Sequence, residues 1–229
     1  MPDKDAATPR IYLIRHGATS WSDTGHFTGT TDLPSCPTAR TANLAWVYVS
    51  PRKRARRTLE LLFESAGQTV EGVDVDVRVT GDIAEWGYGQ YEGLLMREIR
   101  ELRRSRGLDG EREWDIWRDG TEGEGSETPG EVSERVDRVI GEITEMQGGY
   151  LRDLREGKLE EGRKRDVLVV AHGHVLRAFV KRWLGCDMGV KLELQIEPCG
   201  VAGLSYAGAN VGQRAVLLGM SFPGARAGS

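Results

Sequence analysis

The chain has 229 residues, 39% of them apolar and 29% charged, with a formal net charge of −4. That length suits a single domain over 1–229, and the mild acidity excludes bulk affinity for nucleic acid, so any anion binding must be local. No apolar stretch approaches the length needed to span a membrane, and residues 1–10 lack the apolar core of a secretory signal. Cys36, Cys186 and Cys199 are odd in number and show no metal-ligand spacing, which suits a reducing compartment. The expectation is a cytoplasmic protein, with the nucleus also compatible, and no nucleic-acid or membrane partner.

Residues 1–9 read as a flexible N-terminus, and "IYLI" (11–14) as a short buried strand that runs straight into Arg15-His16-Gly17. "WVYV" (46–49) repeats the strand signal, and "RKRARRTLELLFESAG" (52–67) follows it as a helix stopping at a glycine. "VDVDVRV" (73–79) alternates as a half-exposed strand would, and the loop "DIAEWGYGQYEG" (82–93) comes next. "TPGEVSERVDRVIGEI" (128–143) opens a helix with Thr128, then Pro129, then Glu131 three residues on from the threonine, a capping-box start. The polar run over 149–165 reads as an exposed excursion or a solvated helix. "DVLVVAH" (166–172) is continuously apolar, as a central parallel strand covered on both faces is, and "HVLRAFVKRWLG" (174–185) is a second helix stopping at glycine. Residues 223–229 read as a flexible C-terminus. Strands alternating with helices predict a three-layer α/β/α fold with a mainly parallel central sheet.

Such sheets bind ligands outside the carboxyl ends of their strands. "LIRHG" (13–17) and "VVAHGH" (169–174) end two strands in nearly the same phrase, and "YVS" (48–50) ends a third before the basic run. His16, His172, Arg15, Arg54 and Glu85 are therefore expected at one edge of the sheet. Taken singly, each has a structural reading: a histidine at a strand end is usually a satisfied packing group, and "RKRARR" a solvated basic face. A nucleic-acid patch would need aromatic interleaving and a basic domain, and the chain has neither. Their conjunction, in this order, is hard to explain as packing.

"RHG", "SPRKRARRT", "EWGYGQYEG" and "VVAHGHVLRAF" together resemble the histidine phosphatase superfamily, the phosphoglycerate-mutase-like proteins. "TGTTDLP" (28–34), the stretch 85–118 and "VLVVAHGHVLRAF" (167–179) are similar to its fungal sedoheptulose 1,7-bisphosphatases. The resemblance runs from about Ile11 to Phe222. It implies His16 as the nucleophile that forms a phosphohistidine, with Arg15, Arg54 and His172 clamping the phosphoryl oxygens. Arg54 is singled out because Arg54-Ala55 to Thr58 matches the family's motif; Arg52, Lys53, Arg56 and Arg57 are expected at the surface. Glu85 would protonate the departing alkoxide and then deprotonate the attacking water, a task that calls for a raised pKa, which burial beside a polyanionic substrate would supply. Substrate contacts are implied for Phe27, Thr28, Tyr88 and Arg177, with packing an equal reading for Phe27 and Tyr88. No metal or cofactor is implied.

The sequence departs from the resemblance in two places. Where the family has a full helix before the second strand, only "SCPTARTANLA" (35–45) remains, a shortened crossover expected to expose part of one sheet face. Cys199 stands where the family has glycine, and "SYAGAN" (205–210) replaces a more histidine-rich phrase. The expected activity is metal-independent hydrolysis of a phosphorylated sugar, with sedoheptulose 1,7-bisphosphate, cut at its 1-phosphate to feed ribose phosphate synthesis, as the implied substrate. Phosphoglycerate mutase or broad-specificity phosphatase activity is one alternative, and a non-catalytic phospho-ligand binder on the same fold is another. Oligomeric state is open, a homo-oligomer included.

Overall fold

The computed structural model describes residues 8–17 and 43–218. Strands β1 (Ile11–Arg15), β2 (Leu44–Val49), β3 (Asp76–Val79), β4 (Asp166–Ala171), β5 (Val201–Tyr206) and β6 (Arg214–Leu217) form one sheet in the order β3-β2-β4-β1-β5-β6. β3, β2, β4 and β1 run parallel, whereas β5 and β6 are antiparallel additions beside β1. The expected α/β layering and mainly parallel sheet are both present. β5 and β6 carried no strand signal that the sequence reading used.

β4 is central, and all six of its residues are buried. Alternation along it divides the core. Val167, Val169 and Ala171 join the cluster formed with α4 (Pro129–Arg155) and α5 (Gly173–Trp183), and Leu168 and Val170 join the one formed with α1 (Lys53–Ser65). On the α1 side Ile14, Leu44, Val47 and Val49 are buried against Ala55, Leu59, Leu62 and Phe63. The shortened crossover lies outside the described residues up to 42, as do Phe27, Thr28 and the 223–229 tail. The sheet residues just named on that face are nonetheless covered.

α4 begins as expected. Thr128 Oγ1 accepts from the Glu131 N–H at 3.2 Å, and Glu131 Oε2 accepts from the Thr128 N–H at 2.8 Å, with Pro129 at the first helical position. The helix then runs well past 143. Residues 149–155 are its last turns rather than an excursion, because Tyr150 and Leu151 fall on the buried face and are 2% and 3% exposed. Gln147, also fully buried on this helix, donates to the Arg10 and Arg165 carbonyls and accepts from the Tyr206 hydroxyl. A charged composition hid a helix whose inward stripe is apolar. Two further helices, α2 (Met96–Ser105) and the single turn α3 (Ile116–Asp119), lie in the connection before α4.

Candidate active site

β1, β2 and β4 are parallel neighbours or near neighbours, so their carboxyl ends open on one edge, where His16, Ser50 and His172 follow directly. Backbone bonds align these ends: the His16 N–H donates to the Ala171 carbonyl and the Ser50 N–H to the Val170 carbonyl. His16 is 4% exposed, and its Nδ1 lies 2.8 Å from the Gly17 carbonyl oxygen. A carbonyl can only accept, so Nδ1 carries the proton and Nε2 keeps its lone pair. Burial, with Arg54 and Arg15 nearby, lowers the imidazole's pKa to about 4, against the opposing Gly17 bond. At neutral pH His16 is an uncharged base with a fixed tautomer. The residue after it is also held, since the Gly17 N–H donates to Thr58 Oγ1 of α1 at 3.1 Å.

The rings of His16 and His172 lie 5.0 Å apart, inclined at 60°. Arg54 Nε donates to His172 Nδ1 at 3.0 Å, which places the imidazole proton on Nε2, where it is donated to Ser50 Oγ at 2.7 Å. Burial is the main reason that this ring's pKa falls to about 3. His172 therefore has both nitrogens engaged in protein bonds, and it reaches a phosphoryl oxygen only by exchanging one of them. Arg54 is half-buried while Arg52, Lys53, Arg56 and Arg57 are exposed, which separates one arginine of the basic run from its surface neighbours. Arg15 donates through Nη1 to the Ile196 carbonyl at 2.8 Å, and its buried Nε has no hydrogen-bond partner. A buried guanidinium donor left unpaired suits an anion.

Glu85 is 7% exposed and caps the start of α5 from a different segment of the chain. Its Oε1 accepts from the Trp86 and Val175 N–H groups, each at 3.0 Å, and its Oε2 from the His174 N–H at 3.2 Å. Burial favours the neutral acid, but the His174 and His172 imidazoles and these backbone donors outweigh it, and the carboxyl sits well below its usual range. The raised pKa expected for Glu85 is tied to a polyanionic substrate beside it; without one the carboxyl is ionised. The anion-favouring helix start is occupied too, by the protein's own carboxylate. Around Glu85 stand Tyr88, whose hydroxyl is 2.7 Å from His174 Nδ1, and Arg177, whose Nε donates to the Gly173 carbonyl. Trp86, Trp117 and Tyr88 surround the His174 ring, and Arg177 lies 5.8 Å from the centroid of Trp117.

The five core residues come together as the sequence suggested, and Tyr88 and Arg177 border them. Sequence reasoning missed Ser50, His174 and the Glu127–Arg135 pair that braces the Glu85 loop. Ser50 and His174 flank the motifs in plain view, yet their hydrogen-bond partners are far away in the sequence. Among the described residues, no group of three His, Cys, Asp or Glu side chains is placed to hold a metal. Among the same described residues, no helix is long and apolar enough to cross a membrane.

Residues 37–217 match the histidine phosphatase superfamily (branch 1). Over 204 residues the chain is 40% identical to sedoheptulose 1,7-bisphosphatase of Saccharomyces cerevisiae, covering 81% of this chain and 71% of the yeast protein. It is 33% identical to an acid phosphatase of Mycobacterium tuberculosis, covering 91% of each. Among solved structures, the product of an M. tuberculosis open reading frame superposes with a TM-score of 0.62 at 26% identity, covering 92% of this chain and 96% of that one.

Proposed function

This chain belongs to the histidine phosphatase superfamily and is a phosphoric monoester hydrolase; from that premise we propose that it cleaves a phosphorylated sugar through a phosphohistidine on His16. The observation that carries this reading is the His16 imidazole, buried, neutral, and fixed with Nε2 unprotonated beside Arg15, Arg54 and His172. A phosphate monoester resists attack by its own charge, so the reaction depends on positioning and on neutralising the equatorial oxygens. In the first step His16 Nε2 bonds to phosphorus and the P–O bond to the sugar breaks, while Arg15 and Arg54 bind the phosphoryl oxygens. Drawing Arg54 onto the phosphate frees His172 Nδ1, and a proton taken up there makes His172 a third donor.

Glu85 protonates the leaving alkoxide and then takes a proton from the water that attacks phosphohistidine. It is ionised in the unliganded site and gains its proton when a dianionic phosphate arrives, because like charge raises a carboxyl's pKa. Phosphate leaves and His16 Nε2 is regenerated.

Similarity to the yeast enzyme favours sedoheptulose 1,7-bisphosphate as substrate, cut at the 1-phosphate, with Arg177 and Tyr88 as substrate contacts and the whole chain acting as one catalytic domain. The test is phosphate release from sedoheptulose 1,7-bisphosphate, fructose 1,6-bisphosphate and 2,3-bisphosphoglycerate, with and without 3-phosphoglycerate as acceptor. Release highest with the seven-carbon bisphosphate and unaffected by the acceptor supports the proposal. Transfer to 3-phosphoglycerate in preference to water would make the chain a mutase instead.

A further inference from the structure

α1 carries a threonine that the reaction above does not use. The helix buries Ala55, Leu59, Leu62 and Phe63, all apolar, and with them Thr58, which is 5% exposed. Valine would fill the same space at a similar helix propensity, and a buried hydroxyl is costly unless it is bonded. The bonds of Thr58 account for it. Its Oγ1 donates to the Arg54 carbonyl at 2.8 Å, one helical turn back, and accepts from the Gly17 N–H at 3.1 Å, from a segment 41 residues away. Both directions are forced, because a carbonyl can only accept and an amide N–H can only donate. The first bond commits the hydroxyl proton, so Oγ1 meets Gly17 purely as an acceptor.

Gly17 is thus held twice, its N–H by Thr58 and its carbonyl by His16 Nδ1 at 2.8 Å. We infer that Thr58 is a positioning residue for His16: by accepting the Gly17 N–H, it sets the backbone whose carbonyl holds the imidazole as the Nδ1–H tautomer, with Nε2 unprotonated. The same hydroxyl ties that backbone to the helix turn that carries Arg54, so nucleophile and phosphate clamp are held in register. This inference rests on the proposed role of His16 as nucleophile and deepens it.

Removing the hydroxyl leaves the Arg54 carbonyl its helical partner, the N–H of residue 58, but leaves the Gly17 N–H without one. The backbone after His16 then loses its anchor. An imidazole that gives up the Gly17 carbonyl can carry its proton on Nε2, where it cannot attack phosphorus. Arg15 and Arg54 still bind the phosphate, so the loss falls on kcat more than on KM.

The test combines single-turnover phosphorylation by a sugar phosphate with nitrogen NMR of the His16 imidazole in the wild type, Thr58→Val and Thr58→Ser. His16→Ala assigns the signal among the chain's four histidines. Expected are an Nδ1–H tautomer in the wild type, and in Thr58→Val a mixed tautomer with phosphohistidine formed roughly 10- to 100-fold more slowly at nearly unchanged KM. Thr58→Ser should restore both tautomer and rate. An unmoved tautomer in Thr58→Val would overturn the inference, as would losses of activity and urea midpoint that serine fails to restore, since those belong to packing. Should Thr58→Val not fold, the wild type decides: a rapidly exchanging Gly17 amide or an Nε2–H tautomer overturns the inference, and a protected amide with Nδ1–H supports it. A changed tautomer with unslowed phosphorylation, or a wild type unlabelled at His16, means instead that the proposed reading of His16 itself has failed.

Discussion

Arg135 of α4 grips Glu127 with two parallel bonds, Nε to Oε1 at 2.7 Å and Nη2 to Oε2 at 2.9 Å. Its remaining nitrogen, Nη1, donates to the Asp82 and Ala84 carbonyls, and Glu127 Oε2 also accepts the Gly87 N–H at 2.7 Å. The pair thereby holds both sides of the loop that carries Glu85, and Arg135 is 7% exposed. Removing the arginine would leave a half-buried carboxylate and two backbone carbonyls without their donor. Arg135→Ala should cost about 3 kcal/mol in urea unfolding. Arg135→Lys should recover little of this, because an ammonium cannot reproduce the fork.

Acid should destabilise the protein earlier than carboxylate titration alone would. His16, His172 and His174 have folded pKa values near 4, 3 and 4, below the ordinary 6.5. Between those values the unfolded chain binds protons that the native state refuses, so stability present above pH 6.5 is lost as pH falls. Glu85, also depressed when folded, adds to the loss below its ordinary 4.5. Near pH 5 unfolding should take up close to three protons onto these histidines, a slope of up to about 4 kcal/mol per pH unit. Calorimetry in buffers of different ionisation enthalpy measures that uptake, and a flat stability from pH 7 to 5 would contradict it.

Cys199 adopts φ +61°, in the left-handed region, while its N–H donates to the Arg15 carbonyl at 3.1 Å. A side chain there is strained, and glycine is not. Cys199→Gly should therefore stabilise the protein by about 1 kcal/mol, read as a higher urea midpoint. The departure from the family noted in the sequence thus coincides with a backbone that favours the family's residue.

Arg177 offers a test of specificity. If it meets the non-reacting phosphate, Arg177→Ala should lower kcat/KM for sedoheptulose 1,7-bisphosphate by roughly 10- to 150-fold, the equivalent of a charge-assisted bond of about 1.5–3 kcal/mol. The loss on p-nitrophenyl phosphate, which is too short to reach a second phosphate site, should be much smaller. Equal losses on both substrates would assign Arg177 to the reacting phosphate or to the fold.

The parts of this molecule legible in the sequence were those written locally. Strand apolarity, the Thr128–Glu131 cap and the glycine stops fixed β1, β2, β4 and three helix ends, and the topology of parallel strands brought His16 and His172 to one edge. What escaped was long-range. β5 and β6 owe their strand form to pairing with β1 and each other, and "GYLRDLR" continues α4 because Tyr150 and Leu151 find a core to face. The ionised state of Glu85 without substrate was not legible for the same reason. Burial was foreseen, but the α5 backbone donors that offset it come from residues about 90 positions away.

The central claim is the covalent intermediate on His16, and rapid alkaline quenching during turnover tests it most directly. The account predicts an acid-labile phosphoryl group on the wild-type chain, mapped to His16, together with loss of essentially all turnover and all label in His16→Ala. An unlabelled wild type under steady turnover, or a His16→Ala variant that still hydrolyses the substrate at the wild-type rate, would contradict it.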